Sequence, residues 1–173
     1  MINKFSLALL TMFGIGYIRY APGTVASFFT CLIHYYIFWS AVYSTTPFIV
    51  SYSSIIFILI IIYSIICIDK LSHLFKEKDP KEIVIDEFIG QSIPIYYFIW
   101  NVNHNYWGVF ILLAFILFRF FDIFKIFPIN MIDKKMKNGL GVMLDDIVAG
   151  IYTIIVLKLL QPTIEYYIIA YII

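Results

Sequence analysis

Long apolar runs alternate with short polar stretches along the whole chain. Val25 to Tyr43 is a 19-residue run whose only strongly polar member is His34, and Phe48 to Ile68 is a 21-residue run with nothing more polar than Ser and Tyr. Tyr106 to Phe118 is apolar and can continue as helix to about Phe127, where Pro128 disfavours it. Val142 to Leu160 is apolar apart from Asp145, Asp146 and Lys158. At about 1.5 Å per residue, a 19- to 21-residue helix covers the roughly 30 Å hydrocarbon core of a bilayer.

A fifth segment is more polar. Asp79-Pro80-Lys81-Glu82 predicts a helix start, with Asp79 as N-cap, Pro80 in first position and Glu82 completing a capping box. This helix is expected to run over 80–100 as an interior-facing pass, kinked or broken at Pro94 and carrying Asp86 and Glu87. Met1 to Arg19 is expected to stay as a short helix against the bundle, with no A-x-A cleavage site following it. Gly14 and Gly16 would allow close packing or end that helix. Ile164 to Ile173 is too short to cross again and is expected at the interface or against the bundle. The fold class is therefore all-α, a polytopic helical bundle of about four to five passes, forming one domain over 1–173.

Composition supports this. Of the 173 residues, 62% are apolar and only 13% charged, against roughly 45–50% and about 25% in soluble domains. A soluble sphere this small cannot hide so much apolar surface. The same figures exclude a disordered chain, two cysteines are too few for a disulfide scaffold, and a net charge of +1 gives no field for nucleic acid. Lysines fall in connections 69–82 (Lys70, Lys76, Lys78, Lys81) and 128–141 (Lys134, Lys135, Lys137), and Arg19 precedes the first pass. Connections 44–47 and 101–105 have neither Lys nor Arg. Five passes put every basic connection on one side, which the positive-inside rule makes cytoplasmic.

Five of the eleven acidic residues lie in or at the ends of these passes: Asp86, Glu87, Asp122, Asp145 and Asp146. On insertion scales an acid at mid-bilayer costs roughly 2.5–3.5 kcal/mol. Such groups must be paired, metal-bound or near the interface. With Thr24, Arg119 and Lys125 they fall toward the cytoplasmic ends of four separate stretches. Each has a plainer explanation. Asp145 and Asp146 suit a helix's first turn, Arg119 and Asp122 suit an i, i+3 ion pair, Lys125 can snorkel, and Thr24 can be an N-cap. Asp86 and Glu87, two turns beyond the expected cap, have none of these. Carboxylates without His or Cys spacing favour a hard cation such as Mg²⁺. Arg119 and Lys125 suit a phosphate monoester. Gly139 and Gly141, ahead of a helix, could present N–H groups to an anion. These residues suggest metal-assisted phosphoryl hydrolysis on a lipid phosphate, with a cation-coupled transporter using the intramembrane carboxylates as the rival. Cys31 and Cys67 read as core residues, and His34, His73 and His104 are too scattered for a metal triad.

Four stretches, Phe13-Gly-Ile-Gly-Tyr…Ala21-Pro-Gly-Thr24, Ile85-Asp-Glu-Phe-Ile-Gly90, Phe118-Arg-Phe-Phe-Asp-Ile-Phe-Lys125 and Gly139-Leu-Gly-Val-Met-Leu-Asp-Asp-Ile-Val-Ala-Gly150, come in the order found in the phosphatidylglycerophosphatase A family, which this chain resembles from about residue 13 to 150. The resemblance implies a Mg²⁺-dependent membrane phosphatase that converts phosphatidylglycerophosphate to phosphatidylglycerol at the cytoplasmic face of a bacterial inner membrane. Its partner would be phospholipid substrate, with no obligate protein partner evident. Asp86, Glu87, Asp145 and Asp146 would hold the metal, and Asp122 would be a further ligand or a base. Arg119, Lys125, Thr24, Gly139 and Gly141 would contact the substrate. Water is the expected nucleophile, with an aspartyl-phosphate intermediate left open. The chain departs from the family's K-P-x-P at Ile126 and from its Gly pair at Asn138, which alters turns and leaves the charged groups intact.

Overall fold

The computed structural model describes residues 4–43, 49–71, 81–136 and 138–172. Connection 44–47, Asp79, Pro80, His73, Lys76, Lys78 and Lys137 lie outside these. Among the described residues every regular element is helical, with no strand, and the α-helices are α1 (Lys4–Leu10), α2 (Pro22–Tyr43), α3 (Ile49–Leu71), α4 (Ile85–Asn101), α5 (Trp107–Phe124), α6 (Ile129–Lys135) and α7 (Gly139–Ile172). Helices α2, α3, α5 and α7 are each long and apolar enough to cross a membrane.

The burial pattern is that of a protein in lipid. Ile55, Ile58, Leu59 and Ile62 of α3, Leu112 and Ile116 of α5, and Ile155 and Leu159 of α7 are all exposed. In contrast, Ser27, Thr30, His34, Gln91, Ser92 and Thr153 are buried. Where the solvent is hydrocarbon, apolar side chains lose nothing by facing out, and polar ones must find partners inside. Hydroxyls therefore turn back onto their own helices: Ser27 donates to the Gly23 carbonyl, Thr30 to Ala26 and Thr153 to Ala149. Cys31 and Cys67 are buried and unbridged.

Helix α4 is the axis of the bundle and packs on α2, α5 and α7. It runs parallel to α7. Gly90 lies against Asp146 and Gly150 near one end, and Phe98 clusters with Leu157 toward the other. Both glycines are required by proximity. A Cβ on Gly90 would stand 2.6 Å from the Asp146 carbonyl oxygen, and one on Gly150 would stand 2.5 Å from that of Gly90. Pro94 lies within α4 without breaking it.

Four helix boundaries differ from those expected. Helix α4 starts at Ile85 after Val84, with Glu82 in a preceding turn, so Asp86 and Glu87 occupy its first turn rather than lying two turns beyond a cap at Asp79. The dipole of α4 consequently favours their charge, which a start at residue 80 would not allow. Helix α5 stops at Phe124 because Lys125 takes a left-handed conformation (φ 43°), and α6 follows within what read as a connection. Helix α7 is continuous for 34 residues through Pro162, so residues 164–172 extend the last pass instead of forming a separate piece. Helix α2 begins at Pro22, which puts Thr24 inside its first turn and not at the N-cap. The N-terminal helix is present as α1, and Gly16 serves close approach: a Cβ there would collide with the Glu82 carbonyl.

Candidate active site

One cleft of about 370 Å³ opens where α2 and α4 begin and α5 ends, and α7 contributes Asp145 and Asp146 to it from its second turn. Thr24, Asp86, Glu87, Arg119, Asp122, Lys125, Asp145 and Asp146 all line it. Eight of the ten expected site residues thus meet, from four helices spread over more than a hundred positions.

Within the cleft, Asp86, Glu87 and Asp146 each offer a carboxylate oxygen, and these atoms lie within 4.8 Å of one another. The glycine contact between α4 and α7 explains the meeting. Asp86 stands four residues before Gly90, and Asp146 four before Gly150, so each carboxylate sits one turn above the point where the helices touch. Glu87 reaches across to α2, into space that a side chain at Gly23 would fill. Asp86 Oδ1 and Glu87 Oε2 are buried without a hydrogen-bond partner. Buried carboxylate oxygens with no donor are costly unless a cation or proton satisfies them. Hard oxygen ligands on two helices fit Mg²⁺, which takes one or two carboxylates and completes its shell with water and phosphate.

Asp145 does not join this trio. Its Oδ2 lies 2.9 Å from Lys125 Nζ, which also lies 2.9 Å from Asp133 Oδ1 on α6. Burial alone would lower the lysine's pKa, but the bonds to Asp133 and Asp145 outweigh it and hold the ammonium above its ordinary value. Lys125 is accordingly a tie between α6 and α7 with its charge already matched, and not a spare cation. Arg119 Nη1 pairs with Asp122 Oδ2 at 2.7 Å, the i, i+3 arrangement that spacing allows. Its Nε is buried without a partner, so the guanidinium keeps donor capacity in the cleft.

Gly139 and Gly141 do not reach the cleft. The Gly139 N–H donates to Asp69 Oδ1 of α3 at 2.6 Å, and that of Gly141 to the Asn138 side chain at 3.0 Å. Both donors are used in capping α7, which leaves none for a phosphate. Asn138, where the family pattern has glycine, is the N-cap. Asp69, Asp133 and Lys81, a further cleft residue, were not among the expected site residues. Asp69 acts through a contact seventy positions away, and Asp133 through one that depends on how α6 folds back after α5, neither of which a helical spacing reveals. Lys81 carries in the sequence only the signals of a helix start and of a basic connection.

Fold and cleft together define an all-α integral membrane protein with a charged, cation-competent cleft at one end of its bundle. The family profile described as phosphatidylglycerophosphatase A matches residues 8–161. The chain belongs to the phosphatidylglycerophosphatase A family, and is a phosphatase of lipid metabolism. A Bacteroides thetaiotaomicron protein provisionally named a phosphatidylinositol-3-phosphatase is 34% identical over 152 residues, covering 85% of this chain and 87% of that one. Phosphatidylglycerophosphatase A of Haemophilus influenzae is 44% identical over 88 residues, 48% of each chain. That of Escherichia coli is 38% identical over 73 residues, 42% of this chain and 40% of its own. No solved structure matches the chain.

Proposed function

We propose that this protein removes the terminal phosphate of phosphatidylglycerophosphate, giving phosphatidylglycerol and inorganic phosphate, in a Mg²⁺-dependent reaction at the cytoplasmic face of a bacterial inner membrane. The observation that carries the reading is the trio of Asp86, Glu87 and Asp146, with two unsatisfied buried oxygens, in the same cleft as Arg119. Mg²⁺ in that trio would supply Lewis-acid neutralisation of the phosphate oxygens.

The remaining chemistry belongs to the chain. Arg119, oriented by Asp122, offers donors to a phosphate monoester and stabilises the charge that builds on its oxygens. Gly23 and Thr24 lie in the first turn of α2, where backbone N–H groups have no partner within the helix and the dipole favours an anion. Lys125 keeps Asp145 beside the trio and outside it. Orientation rests on charge: Arg19, Lys70, Lys81, Lys134 and Lys135 gather at the cleft end, whereas the opposite turn at 101–105 has no Lys or Arg. The eight charged residues of the cleft lie together at that end, which favours chemistry on a headgroup over an ion path through the bundle.

The test is phosphate release by purified protein in detergent from phosphatidylglycerophosphate, phosphatidylinositol 3-phosphate and phosphatidic acid, each with Mg²⁺ and with EDTA. Metal-dependent release favouring the first lipid is expected. Preference for the inositol lipid would move the substrate toward that of the Bacteroides relative. Failure of folded protein to release phosphate from any of them would overturn the reading.

A further inference from the structure

A headgroup that reaches the carboxylate trio leaves its two acyl chains in the bilayer, so the cleft must open sideways onto lipid. We infer that this opening is the seam between the first turn of α2 and the last turn of α5, with Ala21 and Ile123 as its lips; the inference rests on the lipid-phosphatase reading above. The cleft wall is mostly charged, and Ala21, Pro22, Ile83 and Ile123 are its hydrocarbon members. Ile83 is buried, at 4% exposure, whereas Ile123 is 64% exposed and Ala21 is exposed as well. Apolar surface therefore connects the cleft to the outside of the bundle at these lips. Lys81, also exposed, marks a rim of opposite character that suits water and headgroups.

The seam continues downward as an acyl chain requires. Helices α2 and α5 run antiparallel, and two turns below the lips the rings of Phe28 and Phe115 meet edge to face, with centroids 6.3 Å apart. This pair closes the seam beneath the cleft, and Phe28, half exposed, turns its outer surface to lipid. A diacylglycerol moiety whose phosphate sits by Arg119 would pass between Ala21 and Ile123 and lie along Phe28. The apolar groove between α1 and α3 shares no lining residue with the cleft and cannot serve the same headgroup.

Two measurements test the portal. Ile123→Trp narrows the lips at an exposed position. It should lower the preference for dioleoyl phosphatidylglycerophosphate over its water-soluble deacylated ester roughly tenfold, mainly through KM for the long-chain lipid. An unchanged preference would overturn the portal. In the second measurement, a photoreactive benzophenone side chain is placed at position 123 and, in a separate protein, at Ile58 on the lipid face of α3. Radiolabelled dioleoyl phosphatidylglycerophosphate should cross-link at 123 in a manner competed by excess unlabelled substrate and not by phosphatidylcholine, while labelling at 58 should show no such competition. Equal, non-competed labelling at both sites would overturn the portal. Phosphate release by the unmodified protein is scored separately, so its absence would sink the reaction while unselective cross-linking with release intact would sink only the entry route.

Discussion

Gly90 and Gly150 lie face to face across the α4–α7 crossing, with the Gly90 carbonyl oxygen 2.5 Å from where a Cβ on Gly150 would stand. No side chain fits between them. Gly150→Ala should push the helices apart and destabilise the bundle by about 1–3 kcal/mol, the usual cost of overpacking. It should also weaken cation binding, because Asp146 rides on the same helix one turn away. Thermal unfolding in detergent and a Mg²⁺ titration of turnover check both effects. An alanine variant with unchanged Tm and unchanged Mg²⁺ dependence would remove the crossing from the account.

Asp146→Asn should reduce turnover by roughly two to three orders of magnitude, as expected when charge stabilisation is lost at a reacting phosphate. The amide is close in shape to the carboxylate, so the variant should remain folded by circular dichroism. Near-normal activity in purified mutant would rule out Asp146 as part of the machinery.

Cation binding should also register without any substrate. A ligand of the folded state at about one hundred times its Kd adds about 2.7 kcal/mol to stability. Wild-type protein should therefore melt at a higher temperature in Mg²⁺ than in EDTA. In Asp146→Asn that difference should shrink. If Mg²⁺ leaves both proteins unmoved, the trio is not its site.

Lys125 bridges Asp133 and Asp145, and the two replacements that break this bridge should differ. Lys125→Met leaves both carboxylates without their counter-ion, while Asp133→Asn leaves the Lys125–Asp145 pair in place. Methionine at 125 should consequently lower both Tm and turnover more than asparagine at 133. The partial exposure of Lys125 and Asp133 keeps either loss below the roughly 3–5 kcal/mol typical of a fully buried pair. Equal effects would mean that α6, and not the charge on Asp145, is what the lysine serves.

Asp69 caps α7 from α3 by accepting the Gly139 N–H. Removing it in Asp69→Ala should cost about 1 kcal/mol, the usual worth of an N-cap. The readout is a lower Tm with turnover at saturating substrate retained. A collapse of turnover at unchanged Tm would instead place Asp69 in the chemistry.

Much of this was legible in the sequence because membranes simplify the reading. Apolar runs of bilayer length marked α2, α3, α5 and α7, and charges inside or at the ends of such runs marked the cleft. What was illegible depended on contacts between distant residues. The Asp79-Pro80-Lys81-Glu82 pattern favoured an early helix start, yet Glu82 lies in a turn and α4 begins at Ile85, its backbone meeting α1 where the Val84 N–H bonds to the Leu10 carbonyl. Gly139 and Gly141 looked like anion donors because nothing nearby revealed that Asp69, seventy positions away, already takes one N–H. Asp145 and Asp146 are adjacent in sequence and point to different partners, because successive helical residues project about 100° apart and Lys125 stands on the side that Asp145 faces.

The first-turn position of Asp86 and Glu87 also bears on how the chain is made. During synthesis these acids reach the membrane before the segment bearing Asp146 exists, so for that interval the carboxylate trio is incomplete. Buried at mid-bilayer they would cost roughly 2.5–3.5 kcal/mol each. At the very start of α4 they can wait at the water boundary until α7 is translated and threaded, and the trio closes only when α7 arrives.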